Sequence, residues 1–222
     1  MISSAAVPYV IPFAVFIGLL ALFGNVGHVD YVTEQWIRLG VMGPVIAWAL
    51  RRVRPLDFRV RNWGGSITIG TGIFLIWIGV DLLFPSYRHF WLFQNAVMGK
   101  LSGAIEPAAR QPLALALRTL RAVAIVPIVE ELFWRGWLMR WMIAPDFQKI
   151  PLGSYAPVAF WSVAVLFAAE HGPYWDVGLA AGIVFNAWMV RTKSLGDLIL
   201  AHAMANTCLS AYVMAAGRWE YW

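Results

Sequence analysis

Cysteine is all but missing from this 222-residue chain, where Cys208 stands alone. That excludes an internal disulfide and leaves no thiol pair for a metal cluster. Charge is sparse as well: Asp, Glu, Lys and Arg make up 13% of the residues, against about 25% in a soluble domain. A soluble globular fold is therefore excluded. The chain has no low-complexity tract and no repeat, and it lacks the paired halves with broken helices by which a transporter usually shows itself. Its first apolar run has neither a basic segment before it nor an Ala-x-Ala site after it, so it is expected to be a first transmembrane helix and not a secretory signal.

Apolar residues fill the space that charge leaves. They make up 60% of the sequence and fall into runs at Val7–Phe23, Trp36–Leu50, Ile67–Phe84, Leu113–Val129, Pro157–Ala169, Val177–Val190 and Leu198–Ala216. Several approach the ~20 residues that a spanning helix needs. The pattern predicts an all-α, polytopic membrane helix bundle of about seven or eight transmembrane helices, forming one integral-membrane domain over residues 1–222. The net charge of +5 does not point to nucleic acid, because the basic residues mostly flank apolar runs, where the positive-inside rule puts them. Arg51, Arg52, Arg54, Arg59 and Arg61 face one aspartate in their loop, which predicts a cytoplasmic loop, and a cytoplasmic N-terminus if both preceding runs span. An interfacial helix plus loop is expected between Pro85 and Pro112, and a loop over Ala144–Pro157. Arg118 and Arg121 share a helical face and are expected to snorkel to headgroups.

Three polar interruptions stand out. A charge at bilayer depth costs at least ~2.5–3.5 kcal/mol, yet Glu130, Glu131 and Arg135 sit inside the apolar stretch that starts at Val126. Glu131 and Arg135, at i and i+4, meet on one helical face, while Glu130 is rotated by about 100° and faces elsewhere. A Glu-Arg brace between helices accounts for one acid and one base and leaves Glu130 without a purpose. Pro127 cannot donate to the carbonyl of Val123, so the helix is expected to kink or open one turn before Glu130. His171 follows Phe167-Ala-Ala-Glu and precedes Gly172-Pro173; by itself it reads as a helix-end or core histidine, and Glu170 as a solvated residue at the helix end. His202 and Asn206, four apart in an apolar helix, share a face and each need a partner. One such residue would be interhelical glue, as Asn186 is expected to be. Gly178 and Gly182 form a small-xxx-small face for close helix approach.

In this order, Glu130-Glu131-x-x-x-Arg135, Phe167-x-x-x-His171 and His202-x-x-x-Asn206 resemble the CAAX-protease and bacteriocin-processing (Abi) family of intramembrane glutamate endopeptidases, the type II CAAX prenyl protease kind, over about residues 122–216. The Phe-Trp-Arg after the glutamates and the ending Gly217-Arg-Trp-Glu-Tyr-Trp222 resemble a bacterial subgroup associated with exosortase and PEP-CTERM sorting. The resemblance implies a membrane endopeptidase without metal or cofactor. In it Glu130, oriented with help from His171, deprotonates a water; His202 and Asn206 donate to the oxyanion; and Glu131 and Arg135 hold the geometry. It further implies residence in a bacterial plasma membrane and a protein or peptide substrate cut near a membrane-associated C-terminal segment, with the bilayer and no nucleic acid as the other partner. A sorting-signal protein is then a better substrate candidate than a prenylated one. Trp134, Trp137 and Trp141 are expected to offer it aromatic surface, or else to form an interfacial belt. Two further readings stay open from the residues alone. Two Glu and two His could ligate zinc, although His-Glu-x-x-His is absent, and intramembrane charges could instead serve a non-catalytic binding or immunity protein.

Overall fold

The computed structural model describes residues 3–25, 29–53, 56–95, 98–99, 101 and 105–221. Parts of the expectations for His28, Arg54, Pro55, Ala96, Val97, Lys100 and Trp222 lie outside these residues. Among the described residues seven main helices follow the seven apolar runs: α1 Val7–Asn25, α2 Tyr31–Arg52, α3 Trp63–Leu83, α4 Pro112–Trp141, α5 Pro157–Ala169, α6 Trp175–Thr192 and α7 Leu195–Ala216.

Local chemistry sets their ends. Asp30 caps α2 by accepting from Thr33 N–H at 3.0 Å, and Asn62 caps α3 through Gly65 N–H at 2.9 Å, each filling one of the donors a helix start leaves free. Pro112 and Pro157 begin α4 and α5, where a missing N–H costs nothing. Gly217, with φ +66, ends α7 in the left-handed conformation that glycine adopts freely.

α1, α3, α4 and α7 are long and apolar enough to cross a membrane. Outward-facing Leu75, Leu83, Trp63 and Val158 are each more than half exposed, an apolar exterior that a lipid solvent covers and water does not. The protein is an integral membrane helical bundle. α2 falls short in composition because it carries Glu34, Arg38, Arg51 and Arg52, and α5 has only 13 residues.

Small residues set the helix contacts. A Cβ on Gly70 would lie 2.3 Å from the Ala201 carbonyl, so α3 and α7 touch through bare backbone. A Cβ on Gly182 would lie 3.1 Å from the Ala164 backbone, which places α5 against α6 as the small-xxx-small face predicts.

Between α3 and α4 the expected interfacial helix is not formed by the described residues. They make short 3-10 turns at Tyr87–His89 and Pro107–Arg110, with irregular chain around them. Gly99, at φ +87, closes a turn onto Asn95 there, and such a turn cannot continue a helix. This segment brings in Arg88, which is buried between the end of α3 and the start of α6. Its guanidinium pairs with Asp81 at 2.6 Å and Asp176 at 2.8 Å, donates to the Pro173 carbonyl at 2.8 Å, and lies over the Tyr174 ring at 4.4 Å. Tyr221 donates to Asp81 at 2.7 Å. The turn that follows His171 is thus tied to three other parts of the chain.

Candidate active site

Everything at the site hangs on α4, which is not one regular helix. It is α-helical over Pro112–Leu120, widens to π geometry over Arg121–Ile125, returns to α over Val126–Glu131, and widens again over Leu132–Leu138. Pro127 explains the first widening. The Val126 N–H reaches back five residues to the Arg121 carbonyl, and Pro127 has no N–H to offer the next one, Ala122. The Ala122 carbonyl is left to a side chain, and Asn206 of α7 donates to it at 2.8 Å. The expected opening one turn before Glu130 is present, and Asn206 fills it.

Glu131 is fully buried and doubly held. Arg135 donates to its two oxygens at 3.1 and 3.0 Å, as the i, i+4 spacing predicts, and His202 Nδ1 lies 2.8 Å from Oε1. A carboxylate only accepts, so Nδ1 of His202 carries the hydrogen and Nε2 is turned toward Glu130, 3.9 Å from its Oε2. Arg135 is fixed in turn. Its Nε donates to Asn186 Oδ1 at 2.8 Å, another nitrogen to the Gly182 carbonyl at 3.3 Å, and the guanidinium lies 4.6 Å from the Phe167 ring centre. Asn186 also donates to the Phe160 carbonyl at 2.7 Å. It is interhelical glue, as expected, and it also orients the arginine.

Glu130 is different. Only 7% exposed, its Oε2 has no hydrogen-bond partner. It lines a cavity of about 180 Å³ together with His171, His202 and Asn206. His171 Nδ1 lies 2.7 Å from the Phe167 carbonyl. A carbonyl only accepts, so this ring too is locked with Nδ1–H and a bare Nε2 when neutral. A Cβ on Gly178 would come within 3.1 Å of the His171 ring, so that glycine gives the imidazole its room.

Of the six residues singled out in the sequence, four meet at this cavity, and Glu131 and Arg135 stand directly behind it. The aromatic wall is not the expected one. Trp134 and Trp137 are packed inside the bundle, Trp134 donating to Glu170 at 3.1 Å, and Trp141 is 46% exposed. Phe74, Trp77, Phe167 and Phe185 line the cavity instead, because the widened turn after Glu131 rotates the tryptophans away from that face. Arg118 and Arg121 also depart from expectation. They turn inward to α2, where Arg118 donates to Tyr31 at 2.9 Å and Arg121 is buried.

Could a metal sit here? Among the described residues no three His, Cys, Asp or Glu converge as a metal would require, and His202 Nδ1 is committed to Glu131. The donor set does not fit a structural or catalytic zinc, which takes at least three protein ligands.

Buried in an apolar helical bundle, an arginine-held carboxylate, an unbonded one and two tautomer-locked imidazoles thus stand together at one site. Residues 112–208 match the family described as type II CAAX prenyl endopeptidase, Rce1-like. Over this segment, which contains all six site residues, the chain is similar to the CAAX-protease (Abi) family. No curated protein and no solved structure matches it.

Proposed function

We propose that the protein is a multi-pass, glutamate-type intramembrane endopeptidase in which Glu130 takes a proton from a water that attacks the scissile carbonyl. The observation that supports this most directly is the unbonded Glu130 Oε2 in a cavity shared with both histidines. Such a carboxylate is free to accept a proton and, after attack, to pass it to the leaving amine, the usual double duty of a general base. His171, with Nε2 bare, accepts a hydrogen bond from the water's other hydrogen, which stays on the oxygen, and so orients it. His202 in its protonated form donates from Nε2 to the oxyanion, supported by the ionised Glu131 behind it, and Asn206 adds its remaining amide hydrogen. Removing one such donor costs on the order of 10²–10³ in rate in well-studied hydrolases. No nucleophilic side chain and no cofactor enters this scheme.

The substrate on this reading is a protein or peptide whose C-terminal region is held in or at the membrane of a bacterial cell, a sorting-signal protein before a prenylated one. The reconstituted protein should cleave a tail-anchored substrate and refuse the same protein without its tail. Equal cleavage of both would sink the membrane-proximal substrate. Activity should also survive exhaustive chelation; zinc lost together with activity, and restoring it when added back, would replace the glutamate mechanism with a metal one.

A further inference from the structure

α7 presents two lined faces. His202 and Asn206 look into the catalytic cavity, while Gly196, Ile199, Leu200 and Ala203, at helical spacing on another face, floor a separate groove of about 570 Å³. That size lies within the roughly 300–1,000 Å³ of ligand sites. Leu50 at the end of α2 and Ile128 of α4 close its sides, and the third wall is the loop after α2. The loop alternates: Leu56, Phe58 and Val60 line the groove, whereas Asp57, Arg59 and Arg61 between them are exposed. It is pinned in this position. A Cβ on Gly196 would collide with the Phe58 carbonyl, Ser194 donates to the Arg59 carbonyl at 3.3 Å, and Asp197 accepts from the Arg61 and Asn62 N–H groups at 2.6 and 2.9 Å.

The rim of this apolar groove is cationic. Arg51 and Arg52, next to Leu50, and Arg59, between Phe58 and Val60, are exposed. Asp57, the one acid of the loop, is held by Arg61 at 2.7 Å, so the rim keeps a net positive charge. Trp48, with the Arg52 guanidinium 5.3 Å from its ring centre, and Trp63, 60% exposed, mark this end as the level of the headgroups, where amphipathic rings collect. From Gly196 to Ala203 the floor rises about 10 Å along the helix axis, which stays within one leaflet of a ~30 Å hydrocarbon core. That depth suits an acyl chain descending from the headgroup level. It falls short of a transmembrane segment of another protein, which would need both leaflets.

We propose that the groove is a binding site for one anionic phospholipid, with an acyl chain along Ile199, Leu200 and Ala203 and the phosphate held by Arg52 and Arg59. The site lies outside the catalytic cavity and does not depend on the endopeptidase reading. Guanidinium groups give a phosphate charge-assisted hydrogen bonds with a geometry that matches its oxygens, and a basic segment at the end of a spanning helix draws anionic lipid to it. The groove adds what a basic surface alone lacks, a fixed place for the chain. Because Ile128 stands two residues before Glu130 on the same helix, the bound lipid also braces the stretch of α4 that carries the glutamate.

The test is native mass spectrometry of the full chain released from a neutral detergent, titrated with phosphatidylglycerol, with phosphatidylcholine of the same acyl chains, and with inorganic phosphate. Wild type should retain one phosphatidylglycerol, bind phosphatidylcholine about ten-fold more weakly, and retain no phosphate. Arg52→Gln and Arg59→Gln should each weaken phosphatidylglycerol about five-fold, the worth of one arginine at an anionic membrane surface, and leave phosphatidylcholine unchanged. Arg191→Gln, at an exposed arginine near the end of α6 and outside the groove, should change neither. Ala203→Phe, which fills the floor, should lose both lipids. Equal retention of the two lipids, phosphate bound as tightly as phosphatidylglycerol, a loss in Arg191→Gln as large as in Arg59→Gln, or wild-type binding in Ala203→Phe overturns the site. Unchanged binding in both Arg52→Gln and Arg59→Gln overturns it even where Ala203→Phe fails to fold.

Discussion

Two places in this protein join two carboxylates to one arginine, and they do opposite things with it. At the outer node Arg88 pairs with both Asp81 and Asp176, at 2.6 and 2.8 Å, and Tyr221 adds a donor to Asp81. Every charge there has an opposite within reach, and the node ties α3, the His171 turn and the end of the chain together. At the inner node Arg135 spends itself on one carboxylate only. Glu131 takes the arginine and His202, while Glu130 next to it keeps an oxygen with no partner. The same inventory of charges is a clamp where both carboxylates lie within ion-pair distance of the arginine and a candidate reaction centre where one of them does not.

Substitutions can separate the two. The largest effect is expected for Glu130→Gln, which should lower proteolysis by about 10²–10⁴-fold, the usual worth of a general base. Its thermal stability should be unchanged or higher, because an unpartnered buried carboxylate contributes nothing to holding the fold. Cleavage at the wild-type rate would remove Glu130 from the mechanism. Arg88→Met should show the reverse pattern. It strands two aspartates whose side chains are only 10% and 14% exposed, a loss of roughly 3–5 kcal/mol for a broken buried pair. Melting of the detergent-solubilised variant should reveal it, and adding Asp81→Asn should restore part of the stability. A variant that melts like wild type would mean that the outer node is no clamp.

Smaller changes sharpen the contrast. Gly178→Ala places a methyl against the His171 ring; overpacking of this kind costs about 1–3 kcal/mol, and turnover should fall further than stability does. The exposed pair of Asp57 and Arg61, 2.7 Å apart on the loop after α2, should respond least. Arg61 holds the Asp57 carboxyl below the usual carboxylate range by hydrogen bonding to it. Whatever the pair contributes is present at neutral pH and lost as pH falls through that lowered value. Because both groups face solvent, Asp57→Asn should leave the melting temperature where it was, while an NMR titration of Asp57 in the wild-type protein should show the lowered midpoint.

How much of this could be read beforehand follows from the range of each interaction. The seven helices are legible because apolar run length is local, and so is the Glu131–Arg135 pair, which rests on i, i+4 geometry alone. Pro127 announced an opening in α4 for the same reason. What lay beyond reading was the direction in which a polar residue faces once its helix has neighbours. Arg118 and Arg121 have the sequence context of headgroup ligands, and only the position of α2 turns them inward. Trp134 and Trp137 have the spacing of an aromatic surface, and only the widened turn after Glu131 buries them.

The sequence by itself determined that this protein is a membrane helical bundle, that its candidate site residues fall on three of the apolar runs, and that one of two adjacent glutamates has an arginine. These are statements about hydrophobic length and helical periodicity, which neighbouring residues settle among themselves. Tertiary structure alone decided which glutamate keeps a free oxygen, which nitrogen of His202 is committed, that Asn206 answers the Ala122 carbonyl, and that Arg88 finds aspartates on two helices. Each of those depends on hydrogen bonds between residues far apart in the chain. Such pairings carry no periodicity, and they exist only once packing has brought the helices together and excluded the water that would otherwise satisfy them.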